Sequence, residues 1–183
     1  MKKILIVLAL FVMCFNISNA QETRREVTNT TTKYDDSKPN SDSVPDVYDL
    51  DGKFDKIIIF RLKYKADLLA GLKKIVEDKK IKNAVILSGI GSVRGYQYHT
   101  VSNRTFPSKN IFVKNPTAPA DITSMNGYII NGRVHCHISF TNPDKEFGGH
   151  LEPGTEVFTF AIVTVGVLSD NVDLTNIDNK NYR

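Results

Sequence analysis

Asn131-Gly132 is the strongest local constraint in this chain. The pair lies between two runs rich in β-branched and aromatic residues, Asp121 to Ile130 and Arg133 to Phe140. Asn-Gly accepts the positive φ angles of a type I′ turn, whose twist matches that of paired strands, so it predicts a tight hairpin. Such a hairpin fixes register, because a slip of one residue would move every side chain to the opposite face. The outgoing strand reads Arg133-Val134-His135-Cys136-His137-Ile138-Ser139-Phe140. Residues two apart in a strand share a face, so His135 and His137 project together and Cys136 points the other way.

A third histidine follows in Phe147-Gly148-Gly149-His150-Leu151, where the glycines predict a tight turn and close backbone approach. Two same-face histidines and a third on a turn match a three-nitrogen site, His135, His137 and His150, for Zn²⁺ or another transition metal with one coordination position open. The competing reading is a half-buried polar pair on a strand and an ordinary turn residue. His99, the remaining histidine, stands by itself and reads as a surface residue.

The rest of the chain predicts an α+β fold, a mostly antiparallel β-sheet packed with one or two helices. Ile57 to Tyr64 is expected as a strand. A helix over 67–79 follows, capped by Asp67, with Leu68, Leu69, Leu72, Ile75 and Val76 at helical spacing. Strands are expected over 82–90, 93–101, 110–114, 121–130, 133–140 and 157–168. Gly89-Ile90-Gly91 is expected as a hairpin or bulge, since no helix follows it to make a phosphate loop. The polar tail from Asp170 offers Val172, Leu174 and Ile177 to cover a sheet edge.

Upstream, Met1-Lys2-Lys3, an apolar run from Ile4 to Phe15 and Ser18-Asn19-Ala20 form a secretory signal pattern over residues 1–20. The chain is therefore expected to be exported to the periplasm or extracellular space. Lipoprotein anchoring through Cys14 is the weaker alternative, because Met13 stands where a small residue is wanted. No transmembrane segment is expected, since no apolar run reaches about 18 residues. Residues 21–55 read as a flexible linker with few large apolar side chains, and 56–183 as one domain. Lys2 and Lys3 leave with the signal, so the 24 basic residues fall to 22 against 20 acids. A net charge so near zero gives no electrostatic case for nucleic acid. Of the 2 cysteines only Cys136 lies beyond the signal, which excludes an internal disulfide there.

From about Lys56 to Leu168 the chain resembles the plant and prokaryote conserved (PPC) domain. The resemblance rests on Phe60-Arg61-Leu62, Ala84 to Ser92, Ile122 to Gly127, the His-x-His strand and Gly148-Gly149-His150-Leu151, in that order. It implies a PPC-like fold, a metal on the three histidines and a homotrimer. Plant members bind DNA through AT-hooks. Arg24-Arg25 is not an AT-hook, and Ala120-Asp121-Ile122-Thr123-Ser124 stands where plant members carry a partner-binding Arg-Phe-Glu-Ile-Leu segment. Ile162 occupies the slot of a glutamate found in prokaryotic relatives.

These features predict a secreted metal-binding module, a homotrimer by the resemblance, with room for a small-molecule ligand. One alternative is a metal-dependent enzyme using a metal-bound water, with Glu152 or Glu156 as general base. DNA binding, the family label, is disfavoured. Whether the protein is an enzyme stays open at this point, with no catalytic residue assigned.

Overall fold

The computed structural model describes residues 21–29 and 44–178. The expected signal peptide lies outside the described residues, as does the middle of the expected linker. The described elements are β1 (Thr23–Thr28), β2 (Phe54–Lys63), α1 (Leu68–Asp78), β3 (Ala84–Val101), β4 (Lys109–Asn115), β5 (Ala120–Ile130), β6 (Arg133–Thr141), β7 (Glu146–Leu151) and β8 (Glu156–Leu168). All pairings are antiparallel, in agreement with the expected α+β fold.

Helix α1 begins where its cap predicts. Asp67 accepts the Ala70 N–H at 2.8 Å, and its other oxygen accepts the Gly154 N–H at 2.6 Å, tying the helix start to the turn before β8. Leu68, Leu69, Leu72 and Val76 are buried, each stabilising the fold by about 1.5–3 kcal/mol relative to exposure. The helix ends in a Schellman arrangement: Ile81 N–H reaches the Val76 carbonyl at 2.9 Å and Lys80 N–H reaches that of Glu77 at 3.0 Å. Lys80, with φ 53°, fills the left-handed position usually taken by glycine.

The Asn131-Gly132 turn has φ 50° and 77°, and Ile130 pairs with Arg133 as the hairpin requires. The Gly89-Ile90-Gly91 stretch is no hairpin. It lies inside β3, a single strand of 18 residues, and the expectation of two strands is corrected to one. The register of β3 against β8 shifts between Ile86 and Ser88 and again between Gly91 and Val93, so the bulge alternative holds. A Cβ on Gly91 would fall 2.2 Å from the Phe160 carbonyl, so this glycine serves close strand packing rather than chain reversal.

Length lets β3 organise the sheet. Its first half pairs with β5 and β8, and its last residues pair with β4 and β7. Because β5, β6 and β7 are consecutive neighbours, the sheet curls until β7 meets the far end of β3. One core fills the concave side, including Ile86, Met125, Ile129, Phe140, Val163 and the apolar stripe of α1. Val172 and Leu174 of the tail are buried with Ile130 and Leu168 in a smaller cluster, the edge cover expected of them.

Part of the expected linker is a strand. β1 runs along β4 from Thr23 opposite Lys114 to Thr28 opposite Lys109. Its sequence, Thr-Arg-Arg-Glu-Val-Thr, has little apolar content, so the attachment comes from backbone hydrogen bonds to the free edge of β4. Glu22 adds an anchor by accepting the Tyr96 hydroxyl at 2.8 Å.

Candidate metal centre

Three strands bring all four histidines onto one surface. His137 on β6 is opposite His150 on β7, and His150 is opposite His99 on β3. Cross-strand partners share a face, so these rings stand in a row, with His135 two residues along from His137. Cys136 points into the core as expected, 1% exposed, and burial pushes its thiol up to about 12. It is therefore a protonated core residue, not a thiolate ligand. Beneath the histidines, Tyr96, Tyr98, Phe140 and Phe147 pack with ring centroids from 4.7 to 6.4 Å apart, backing the three strands with a dense aromatic layer.

His150 does not come from a turn. Gly148 and Gly149 are strand residues of β7. They let β7 lie tight between its neighbours: a Cβ on Gly148 would meet the Ile138 carbonyl at 2.0 Å, and one on Gly149 the His99 carbonyl at 2.2 Å. The expectation of close backbone approach holds, with a paired strand in place of the turn.

Nitrogens of His135, His137 and His150 lie within 4.8 Å of one another. The His150 ring meets those of His135 and His137 edge-on, at centroid distances of 4.9 and 5.4 Å. A second group, His99, His150 and Glu152, satisfies the same 4.8 Å spacing and shares His150. His99 is stacked on His150 at 4.6 Å.

Two carboxylates flank the row. Glu152 Oε1 is 2.6 Å from His99 Nδ1, and Asp178 Oδ2 is 3.0 Å from His135 Nδ1. An ionised carboxylate only accepts, so each Nδ1 donates and the neutral ring keeps its lone pair on Nε2. Glu152 is thus a half-buried partner rather than an exposed turn carboxylate. Glu156 stands apart, 3.9 Å from Arg94.

The electrostatics favour the neutral ring at His150 and His137. Burial, then repulsion from His99, His135 and His137, brings His150 down to about 4, with Asp178 opposing part of the shift. His137, more open to solvent, is lowered by burial and by His135 and His99. Neutral imidazoles are the form that binds a metal. The donor set, nitrogen-rich with buttressing carboxylates, fits a borderline ion such as Zn²⁺.

His99 and Asp178 are the residues that sequence reasoning missed. Strand alternation puts His99 on the face opposite Tyr96 and Tyr98, but nothing local announces the return of β7 to β3. Asp178 had no local signal.

A family model described as the Plants and Prokaryotes Conserved (PCC) domain matches residues 50–169. No curated protein matches the chain significantly. Among solved structures, a metal-containing protein of Archaeoglobus fulgidus is 25% identical with a TM-score of 0.57, over 67% of this chain and 86% of that one. A plant- and prokaryote-conserved protein of Pyrococcus horikoshii is 22% identical with a TM-score of 0.56, over 69% and 89%. A protein of Bacteroides thetaiotaomicron labelled a candidate DNA-binding protein is 18% identical with a TM-score of 0.52, over 67% and 86%.

Proposed function

The chain belongs to the Plants and Prokaryotes Conserved (PCC) domain family, and we propose that it is an exported, trimeric binding module that holds a transition-metal ion on His135, His137 and His150. The observation that carries this reading is the convergence of three imidazole donors within 4.8 Å on adjacent strands. The metal-containing character of the Archaeoglobus fulgidus neighbour agrees with it. Zinc is the preferred ion, since it accepts nitrogen ligands in three-histidine sets. Elemental analysis of protein purified without chelators is the test. One equivalent of zinc or another transition metal per chain is expected, and absence of any stoichiometric metal overturns the reading.

Assembly is supported by the exposed sheet face. Ile57, Ile59, Leu87, Ile90 and Phe158 are between 42% and 69% exposed, a grouping of apolar side chains that a solitary soluble domain rarely presents. Export is supported by the pattern of residues 1–20, and N-terminal sequencing of the native protein is expected to begin at Gln21. Among the described residues no helix is long and apolar enough to cross a membrane.

A small-molecule ligand is supported by a hollow of about 370 Å³ lined by Leu50, Phe54, Val85, Tyr128, Leu174 and Ile177. Tyr128 is the cross-strand partner of His135, so the hollow adjoins the histidine row. Catalysis is the second reading, favoured by the Glu152–His99 pair beside His150. A metal on three imidazoles would supply Lewis acidity there, while Glu152 holds a proton at His99 Nδ1. DNA remains the disfavoured partner, because the net charge beyond the signal is near zero.

A further inference from the structure

We infer that Asp178 is a positioning residue for the three-histidine site, delivered to His135 by a C-terminal strap that lies outside the family-matched segment. The inference rests on the metal-site reading above and deepens it. Asp178 follows β8 by ten residues and lies beyond residue 169, where the family match ends. What brings it back is a chain of specific contacts.

Val172 and Leu174 are 5% and 3% exposed and pin the strap to Ile130 and Leu168. Asn83, itself 3% exposed, donates to the Val172 carbonyl at 2.7 Å and accepts the Asn131 N–H at 2.9 Å. One buried amide therefore joins the strap to the β5–β6 turn. Asn131 Nδ2 also donates to Thr175 Oγ1 at 3.2 Å. Asp173 accepts the Thr175 N–H at 2.9 Å, and the Ile177 N–H reaches the Leu174 carbonyl at 3.0 Å, so the strap is turned back on itself before Asp178.

At the end of this path, Asp178 Oδ2 accepts from two donors on β6, Arg133 Nη2 at 2.9 Å and His135 Nδ1 at 3.0 Å. Arg133 holds the carboxylate in place, and the carboxylate holds the imidazole. A proton fixed on Nδ1 leaves Nε2 as the one nitrogen of His135 that can bind a metal. Hydrogen bonding of the distal nitrogen also limits ring rotation and raises ligand basicity. Among the described residues His137 has no carboxylate partner of this kind, so the orienting contact is particular to His135 and, on the far side, His99.

The test compares wild type with Asp178→Ala and Asp178→Asn. Zinc affinity is read by competition with a chromophoric chelator, and the His135 tautomer by long-range ¹⁵N–¹H correlation on the metal-free protein. Asp178→Ala is expected to weaken zinc binding by about 10–100-fold, to leave the unfolding midpoint of the metal-free protein unchanged, and to move the His135 proton from Nδ1 toward Nε2. Asp178→Asn keeps an acceptor oxygen and should lose less. It decides the matter if the Ala variant fails to fold. Zinc binding in both variants as tight as in wild type, or an Nε2–H tautomer in wild type, overturns the positioning role. A wild type that binds no metal but shows the Nδ1–H tautomer overturns the three-histidine reading instead.

Discussion

His137 and His150 lie directly opposite each other across the β6–β7 ladder. His150 has His99 as its partner on the other side, so it is common to both groups of converging donors. Replacing it by Ala should therefore be the most damaging single change for metal retention. His135→Ala and His137→Ala should each cost more than the roughly 10–100-fold typical of outer-sphere partners. From sequence alone His99→Ala is expected to be silent. Its stacking on His150 makes a modest loss of affinity, at full stoichiometry, the revised expectation. Elemental analysis of the four variants checks the order. If His99→Ala loses as much metal as His150→Ala while His135→Ala retains it, the ion sits on His99, His150 and Glu152.

A pH dependence of the metal-free fold follows from the lowered His150 and His137. A histidine whose folded pKa lies below its unfolded value binds fewer protons when folded. Stability is then complete above the unfolded value near 6.5 and is lost as pH falls toward the folded one. For His150 that window runs from about 6.5 down to about 4. The unfolding midpoint of chelator-treated protein should drop across that range. His150→Gln, which does not titrate, should flatten the profile, and an equally steep drop in that variant would sink the assignment.

The glycines of β7 should prove as necessary as the histidines. A methyl at Gly148 points into the Ile138 carbonyl at 2.0 Å, backbone that cannot rotate away. Gly148→Ala must push β7 off β6, at a cost of about 1–3 kcal/mol. Because His150 is two residues on, metal affinity should fall with stability. Thermal unfolding and chelator competition on the same samples would show both. A stable variant with unaltered zinc affinity would mean that the strand spacing is more tolerant than the contact implies.

Much of this arrangement is legible in the sequence wherever the signal is local. Asp67 and its apolar stripe mark α1, Asn131-Gly132 marks the hairpin, and strand alternation puts His135 and His137 together with Cys136 behind them. What escapes is set by contacts distant in the chain. β7 looks like a turn because Gly148-Gly149 is a turn signal until its neighbours β6 and β3 are known. His99 looks solitary because its partner is 51 residues away, brought near only by the curl of the sheet. Asp178 looks like part of a solvated tail because the buried Asn83 that anchors the strap gives no pattern. β1 was hidden in the same way, since its pairing on β4 is made by backbone groups that every residue carries.

Assembly gives the last prediction. Ile59 is 69% exposed on β2, opposite Thr164 of β8, and Ile90 is 55% exposed opposite Ile162 of β8. These positions lie on the outer sheet face, Ile59 alternating along β2 with Ile58 and Phe60, which pack against the core cluster. Burying such a patch between subunits removes apolar surface from water at roughly 25 cal/mol per Å². Placing a charge there leaves the fold intact but makes the buried contact unfavourable, since an unpaired ion must be desolvated. Ile59→Asp is therefore expected to convert a trimer at micromolar concentration into a folded monomer. Sedimentation velocity gives the mass, and circular dichroism reports whether the fold persists. A wild type that sediments as a monomer would rule out the trimer. A trimer unaffected by both Ile59→Asp and Ile90→Asp would move the interface to another face.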